Sequence, residues 1–176
     1  QSVAPAGIVF LVDGDKKVQA MRQRSESFGG AVRSLVLNLE GGKFKSILSG
    51  DFTFSHVAFM NPSAYYGKNY LRDYGLAIEY SGAEAIGKAE GIRLNERGEI
   101  LVIPNREYQY VSAVLPEALV ISNQLFEKTE IASVCGQKEY RMPGNKLLSI
   151  DPFNFLPEGH QLYKTHRKKM EANIDI

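Results

Sequence analysis

Two glutamates, Glu96 and Glu99, stand three residues apart in the stretch NERGEILVIPNREYQYV (95–111). The second heads an apolar β-forming run that breaks at Pro104-Asn105 and resumes as a second β-like run. A strand buried on both faces seldom starts on a glutamate. Glu99 is therefore either a solvated strand edge or a carboxylate at the mouth of a site. Cys135 and His160 offer a second chemistry, a thiol nucleophile with an imidazole base. The alternative for Cys135 is a buried apolar position in a strand. His56, in FTFSH, is either the polar edge of a half-buried strand or a functional imidazole. Three histidines and one cysteine, none at paired spacing, argue against a metal site. Neither a glycine-rich dinucleotide fingerprint nor a P-loop pattern occurs.

The elements that must position these groups follow from pattern and punctuation. GIVFLV (7–12) predicts a strand closed by the turn DGD. KKVQAMRQRSESF (16–28) predicts a helix stopped by Gly29-Gly30, with Val18 and Met21, or Met21 and Phe28, turned inward. AVRSLVLNL (31–39) fits a strand or a continued helix. DFTFSHVAF (51–59) is aromatic and β-branched, with Phe52, Phe54, Val57 and Phe59 as core members. Asn61-Pro62 suits the start of a short helix ending at Gly75, followed by a strand over 76–82. Residues 83–95 read as loop with a turn of helix. EILVIP (99–104) and EYQYVSAV (107–114) read as consecutive strands. Residues 115–126 are ambiguous, and 130–136, 138–142 and 145–150 read as short strands. DPFNFLPEGHQ (151–161), with its two prolines, reads as an extended covering segment. High β content with few helices, and no regular alternation of the two, predicts α+β. The expected arrangement is a split, mainly antiparallel β core with a few short helices. It would form one domain over 1–150, with a covering segment and tail over 151–176.

Bulk properties bound the function. The chain has 176 residues, 44% hydrophobic and 23% charged, with a net charge of +1. That is the composition of an ordinary globular chain able to bury a core. The small net charge gives no field for nucleic acid or membrane. The late basic run KTHRKK (164–169) fits a solvated helix or tail as well as a nucleic-acid contact. A lone cysteine makes an intrachain disulfide impossible, so folding does not need an oxidising compartment. No apolar stretch is long enough to span a bilayer. The run APAGIVFLV (4–12) lacks the basic flank of a signal peptide. A chain opening on Gln1 is expected of a processed or excised piece of something longer.

Three segments in order carry a resemblance. DFTFSHVAFMNPSAYY (51–66) is an aromatic strand with a central hydroxyl, followed by Asn-Pro and Ala64. YGLAIEYSG (74–82) is apolar and closes in Ser-Gly. ERGEILVIPNREYQYV (96–111) is a glutamate-headed apolar strand, a Pro-Asn turn and a second strand. This order resembles the mono-ADP-ribosyltransferase fold of bacterial toxins and effectors over about residues 50–111. The resemblance implies that Glu99, directly before ILVIP, is the catalytic glutamate and Ser55 the strand serine that orients it. The family's first acidic position falls on Arg97. In some members that carboxylate supports transfer to arginine, and here it is lacking. The family's first-strand arginine has no counterpart in IVFLVDGD, which leaves Arg22, Arg24 and Arg33 as substitutes, Arg33 first.

The chemistry so implied is coherent. Breaking the nicotinamide–ribose bond of NAD passes through an oxocarbenium-like state that a carboxylate stabilises, as in glycoside cleavage. The leaving group is already a cationic pyridinium, so one carboxylate suffices. The pyrophosphate asks for an arginine fork or backbone amides. Nicotinamide asks for an aromatic wall, for which Phe52, Phe54, Tyr65 and Tyr66 are candidates. The expectation is therefore an NAD-consuming transferase, with NAD as substrate and a macromolecular acceptor, a protein rather than nucleic acid or membrane. It would be secreted or delivered as an effector acting in a reducing cytosol. Two alternatives stand beside it: a non-enzymatic β-rich interaction or structural domain, and a Cys135/His160 hydrolase or deamidase.

Overall fold

The computed structural model describes residues 7–12, 15–25, 33–38, 54–95, 99–101, 106–144 and 146–157. The chain divides into two compact units, Gln1–Ser55 and His56–Ile176. In the first, β1 (Gly7–Val12) and β2 (Arg33–Asn38) pair in parallel from Gly7↔Arg33 to Val12↔Asn38. Helix α1 (Asp15–Ser25) supplies the crossover that a parallel pair requires. Val18 is buried and Met21, one turn on, is half-buried, so the inner side expected of this helix is the side that packs. The ambiguous stretch 31–39 resolves as strand over its described residues. Its Leu-Val-Leu run extends readily beside GIVFLV, where each backbone group finds a ladder partner.

The second unit is built on a five-stranded sheet. Its strands are β3 (His56–Ala58), β5 (Ala85–Gly87), β8 (Gln109–Val111), β10 (Val120–Ser122) and β12 (Leu147–Ser149). Their order is β3-β10-β5-β12-β8. Only β5 and β12 run parallel; the other pairs are antiparallel. Ile121, Ala85 and Leu147 lie side by side in this register and are all fully buried. The opposite face carries Ile86, Val120 and Leu148 and is covered by helix α2 (Tyr70–Ser81). Tyr70, Tyr74 and Ala77 are the buried residues of α2, at the i, i+4, i+7 spacing of one helical stripe. A short helix α3 (Asn123–Lys128) follows β10, with the Ser122 hydroxyl accepting from Leu125 N at 3.3 Å as its N-cap. Short two-residue strands also pair in this unit, among them β4 (Tyr65–Tyr66) with β13 (Phe155–Leu156), and β9 (Ala113–Val114) with β11 (Tyr140–Arg141). The architecture is α+β with a mostly antiparallel core, as composition and pattern predict. No helix among the described residues is long and apolar enough to cross a membrane.

Several local expectations are overturned. The helix expected to end at Gly75 and the strand expected over 76–82 are one helix, α2, running through both. Asn61-Pro62 instead opens a turn, with Ser63 N donating to the Asn61 side chain at 2.9 Å. The stripe of Tyr70, Tyr74 and Ala77 gains more by covering the sheet than LAIEYS gains as a strand. Gly82, read as a strand end, is the left-handed C-cap of α2 (φ 60°), its N–H donating to Ile78 O at 3.0 Å. The supposed loop 83–95 contains β5, the strand at the centre of the sheet. Ala-Ile-Gly carries little β propensity, and Gly87 is there for close approach: a Cβ would lie 2.6 Å from Val114 Cγ2. Residues 130–136 form a 3-10 turn (Ile131–Ser133) and a further turn, not a strand. The covering segment, in its described part 151–157, reaches into the core, where Phe155 is fully buried.

Candidate functional site

Glu99 lies where the short ribbon β6 (Arg93–Leu94) and β7 (Ile100–Leu101) turns. The register places Asn95 opposite it. Asn95 N donates to Glu99 O at 3.0 Å, and Glu99 N donates to Asn95 Oδ1 at 2.9 Å. Asn95 Nδ2 then donates to the Glu99 carboxylate at 2.7 Å. One asparagine thus fixes both the backbone and the side chain of Glu99, and the carboxylate stays exposed to solvent. Residues 96–98 and 102–105, with Glu96, Arg97 and the Pro-Asn turn, lie outside the described residues.

The other expected site residues fall in different places. Tyr65 and Tyr66, like Glu99, belong to the second unit; Ser55, Phe54 and Arg33 belong to the first. Arg33 opens β2. Ser55 is exposed and Phe54 half-buried, just before β3. Phe52 lies outside the described residues, as do Arg24's surroundings and His160. Tyr66 is half-buried and packed edge-on to Tyr70, with ring centres 4.7 Å apart, and against Phe155 at 5.6 Å. Its hydroxyl donates to Glu117 O at 2.9 Å and accepts from Asn61 N at 2.6 Å. Burial raises its ionisation far above the ordinary phenol range. Cys135 is exposed in the turn after the 3-10 segment, and partial burial of its sulfur pushes the thiol up, away from thiolate character. Burial lowers the His56 imidazole, which favours its neutral form.

A cluster that the sequence did not single out surrounds Lys88. This lysine follows the buried strand β5 and is itself fully buried. Its ammonium donates to Asp151 O and to Phe153 O (2.7 Å), and lies 3.7 Å from Asp151 Oδ1. It sits 5.8 Å from the ring centres of both Tyr70 and Tyr74. Burial drives the ammonium down to about 8, while the charges of Asp151 and Asp73 hold it up. Tyr74 donates to Ala118 O, and Tyr70 donates to Tyr74 Oη at 3.5 Å. Asn154, 2% exposed and with φ 58°, donates to Asp73 Oδ2 at 2.8 Å; among the described residues its Oδ1 has no partner. Burial raises the Asp73 carboxyl and this hydrogen bond opposes the rise.

The outer side of the cluster is open. Asp151 Oδ2 accepts from Tyr108 Oη at 3.2 Å, and Asp151 Oδ1 accepts from Phe153 N at 2.9 Å. Tyr108 has φ 54°, a conformation that a non-glycine residue adopts at a cost. Its ring lies 6.4 Å from that of Tyr80, and both residues are 59% exposed. Burial and then the Asp151 charge push the Tyr108 phenol up to about 12. Lys88 has no access to solvent and holds the 151–154 turn against the sheet, so it is no nucleophile. Asp151, Tyr108 and Tyr80 are the accessible members. The only hint in the sequence was a lysine among small residues in AIGKAEG; its carbonyl partners lie more than sixty residues away.

The chain matches no protein-family model, no curated protein and no solved structure.

Proposed function

We propose that this protein transfers ADP-ribose from NAD to a macromolecular acceptor, a protein. The observation that carries the reading is the Glu99 carboxylate, solvent-accessible yet oriented by the Asn95 amide at 2.7 Å. An oxocarbenium-like ribose needs a fixed negative charge beside it, and a carboxylate already held in place needs little reorganisation when that charge develops. Ser55 is the positioning hydroxyl in this reading and Arg33 the pyrophosphate ligand. Phe52, Phe54, Tyr65 and Tyr66 are the aromatic candidates for nicotinamide. Nicotinamide leaves as a neutral molecule, and the acceptor nucleophile loses its proton as the new glycosidic bond forms.

The decisive measurement is NAD hydrolysis and NAD-induced thermal shift on the wild type and on Glu99→Gln. Glutamine keeps the size and the hydrogen bond from Asn95 but removes the charge. Turnover should fall by about a hundredfold or more, with an unchanged melting temperature in the absence of NAD. Equal turnover in both proteins, or no NAD-dependent shift in the wild type, rejects the reading.

A second reading, a non-enzymatic interaction domain, is favoured by one feature: the exposed apolar and aromatic side chains Met60, Leu76, Tyr80, Tyr108 and Tyr110.

A further inference from the structure

The outer face of the Lys88 cluster is used neither by the NAD reading nor by the fold. Tyr80 on α2 and Tyr108 before β8 pack their rings against each other, tilted by 55°, and the Tyr108 hydroxyl donates to the Asp151 carboxylate. The carboxylate itself is mostly sheltered, its side chain 16% exposed. Tyr110, in β8 two residues after Tyr108, is also exposed. Next to Tyr110 a shallow groove of about 370 Å³ runs between Ala83, Glu84, Met142 and Lys146.

Tyrosines of this kind supply large, rigid contact area at little entropic cost, and are the side chains that dominate recognition surfaces. Phenol faces attract cations, and a sheltered carboxylate behind them adds a directional acceptor. The existing partner of Asp151, Lys88, is enclosed on the inner side and engages one edge of the carboxylate through Oδ1, at 3.7 Å. Oδ2 faces the tyrosine side. Of the two charged residues lining the groove, Glu84 has the same sign as Asp151 and Lys146 the opposite sign.

We propose that the Tyr80–Tyr108–Asp151 surface is a docking site for a positively charged segment of a protein partner, seating one guanidinium or ammonium group on the exposed tyrosine rings beside Asp151. The inference does not rest on NAD chemistry, and its test contains no NAD, so either reading can fail without the other.

The probe is a fluorescein-labelled octapeptide with two arginines among glycines and serines, titrated with the full chain and read by anisotropy. A matched peptide with citrulline in place of arginine reports on charge, and one with glutamate reports on sign. The arginine peptide should bind at least tenfold more tightly than either, and binding should weaken as salt rises. Tyr80→Ala, on an exposed helix position, should weaken binding about tenfold with an unchanged melting temperature. Asp151→Asn should weaken it similarly and flatten the salt dependence. If Asp151→Asn fails to fold, Tyr80→Ala decides alone. No binding of the arginine peptide, equal binding of the citrulline or glutamate peptide, or unchanged affinity in Tyr80→Ala overturns the proposal. Concentration-dependent dimerisation lost in Tyr80→Ala also overturns it, in favour of a second copy of this chain as the occupant.

Discussion

Asn95 and Lys88 show how differently two polar side chains can serve one fold. Asn95 is local: it and Glu99 are four residues apart, and the bonds between them join the facing ends of β6 and β7. Lys88 is non-local, and its energetics are pH-dependent. Its folded ionisation lies near 8 against an ordinary 10.5. Below pH 8 both folded and unfolded chains carry the ammonium, and the fold bears the whole cost of burying it. Between pH 8 and 10.5 the unfolded chain holds the proton more tightly, so stability rises with pH through that window, by about 3 kcal/mol if the shift is fully expressed. The neutral amine still has two N–H groups for the carbonyls of Asp151 and Phe153, so the contacts survive its deprotonation. The buried tyrosines act the other way. Tyr70 and Tyr74 are held neutral, and stability they contribute below pH 10 is lost as pH climbs beyond it. Urea unfolding at a series of pH values, on the wild type and on Lys88→Met, separates the two. The rise from pH 8 to 10 should be present in the first and absent in the second; parallel curves would contradict it.

The same contrast holds among elements. Strand β1 and helix α1 are written locally, in an apolar run, a DGD turn and a helical inner side at Val18 and Met21. The segments 61–82 and 83–95 are not. LAIEYS has β-forming residues, and AEAIGKAEG has almost none, yet the first is helical and the second holds the central strand. Burial decides both. Tyr70 and Tyr74 cover the sheet only from a helix, and β5 is held between β10 and β12 with Ala85 and Ile86 buried on its two faces. Gly87 makes that fit measurable. Its replacement by alanine pushes a methyl into Val114, a buried residue of β9, so one strand must move. Gly87→Ala should cost about 1–3 kcal/mol, read as a shifted urea midpoint at unchanged slope. A shift no larger than that of an exposed substitution would show that β9 yields freely.

At the scale of the molecule, all five strands of the main sheet and the two helices α2 and α3 lie in residues 56–128 and 147–149, within the second compact unit. Residues 54–176 expressed alone should therefore give a dispersed amide spectrum and a cooperative unfolding transition. A collapsed spectrum would show that the first unit is needed for the second to fold. The fragment also separates the two functional proposals. It keeps Tyr80, Tyr108 and Asp151 and should still bind the arginine peptide. It lacks Arg33 and Phe52, and on the NAD reading it should lose NAD affinity. The sequence by itself determined what depends on neighbours along the chain: the α+β class and the first strand and helix. Only the tertiary structure decided that 76–81 is helix, that 85–87 is the central strand, and that Lys88, Asp151, Tyr80 and Tyr108 meet. The reason is physical. Those outcomes rest on burial and on hydrogen bonds spanning forty to more than sixty residues, such as Tyr108 to Asp151 and Lys88 to Phe153. Patterns of local periodicity carry no record of partners so far away.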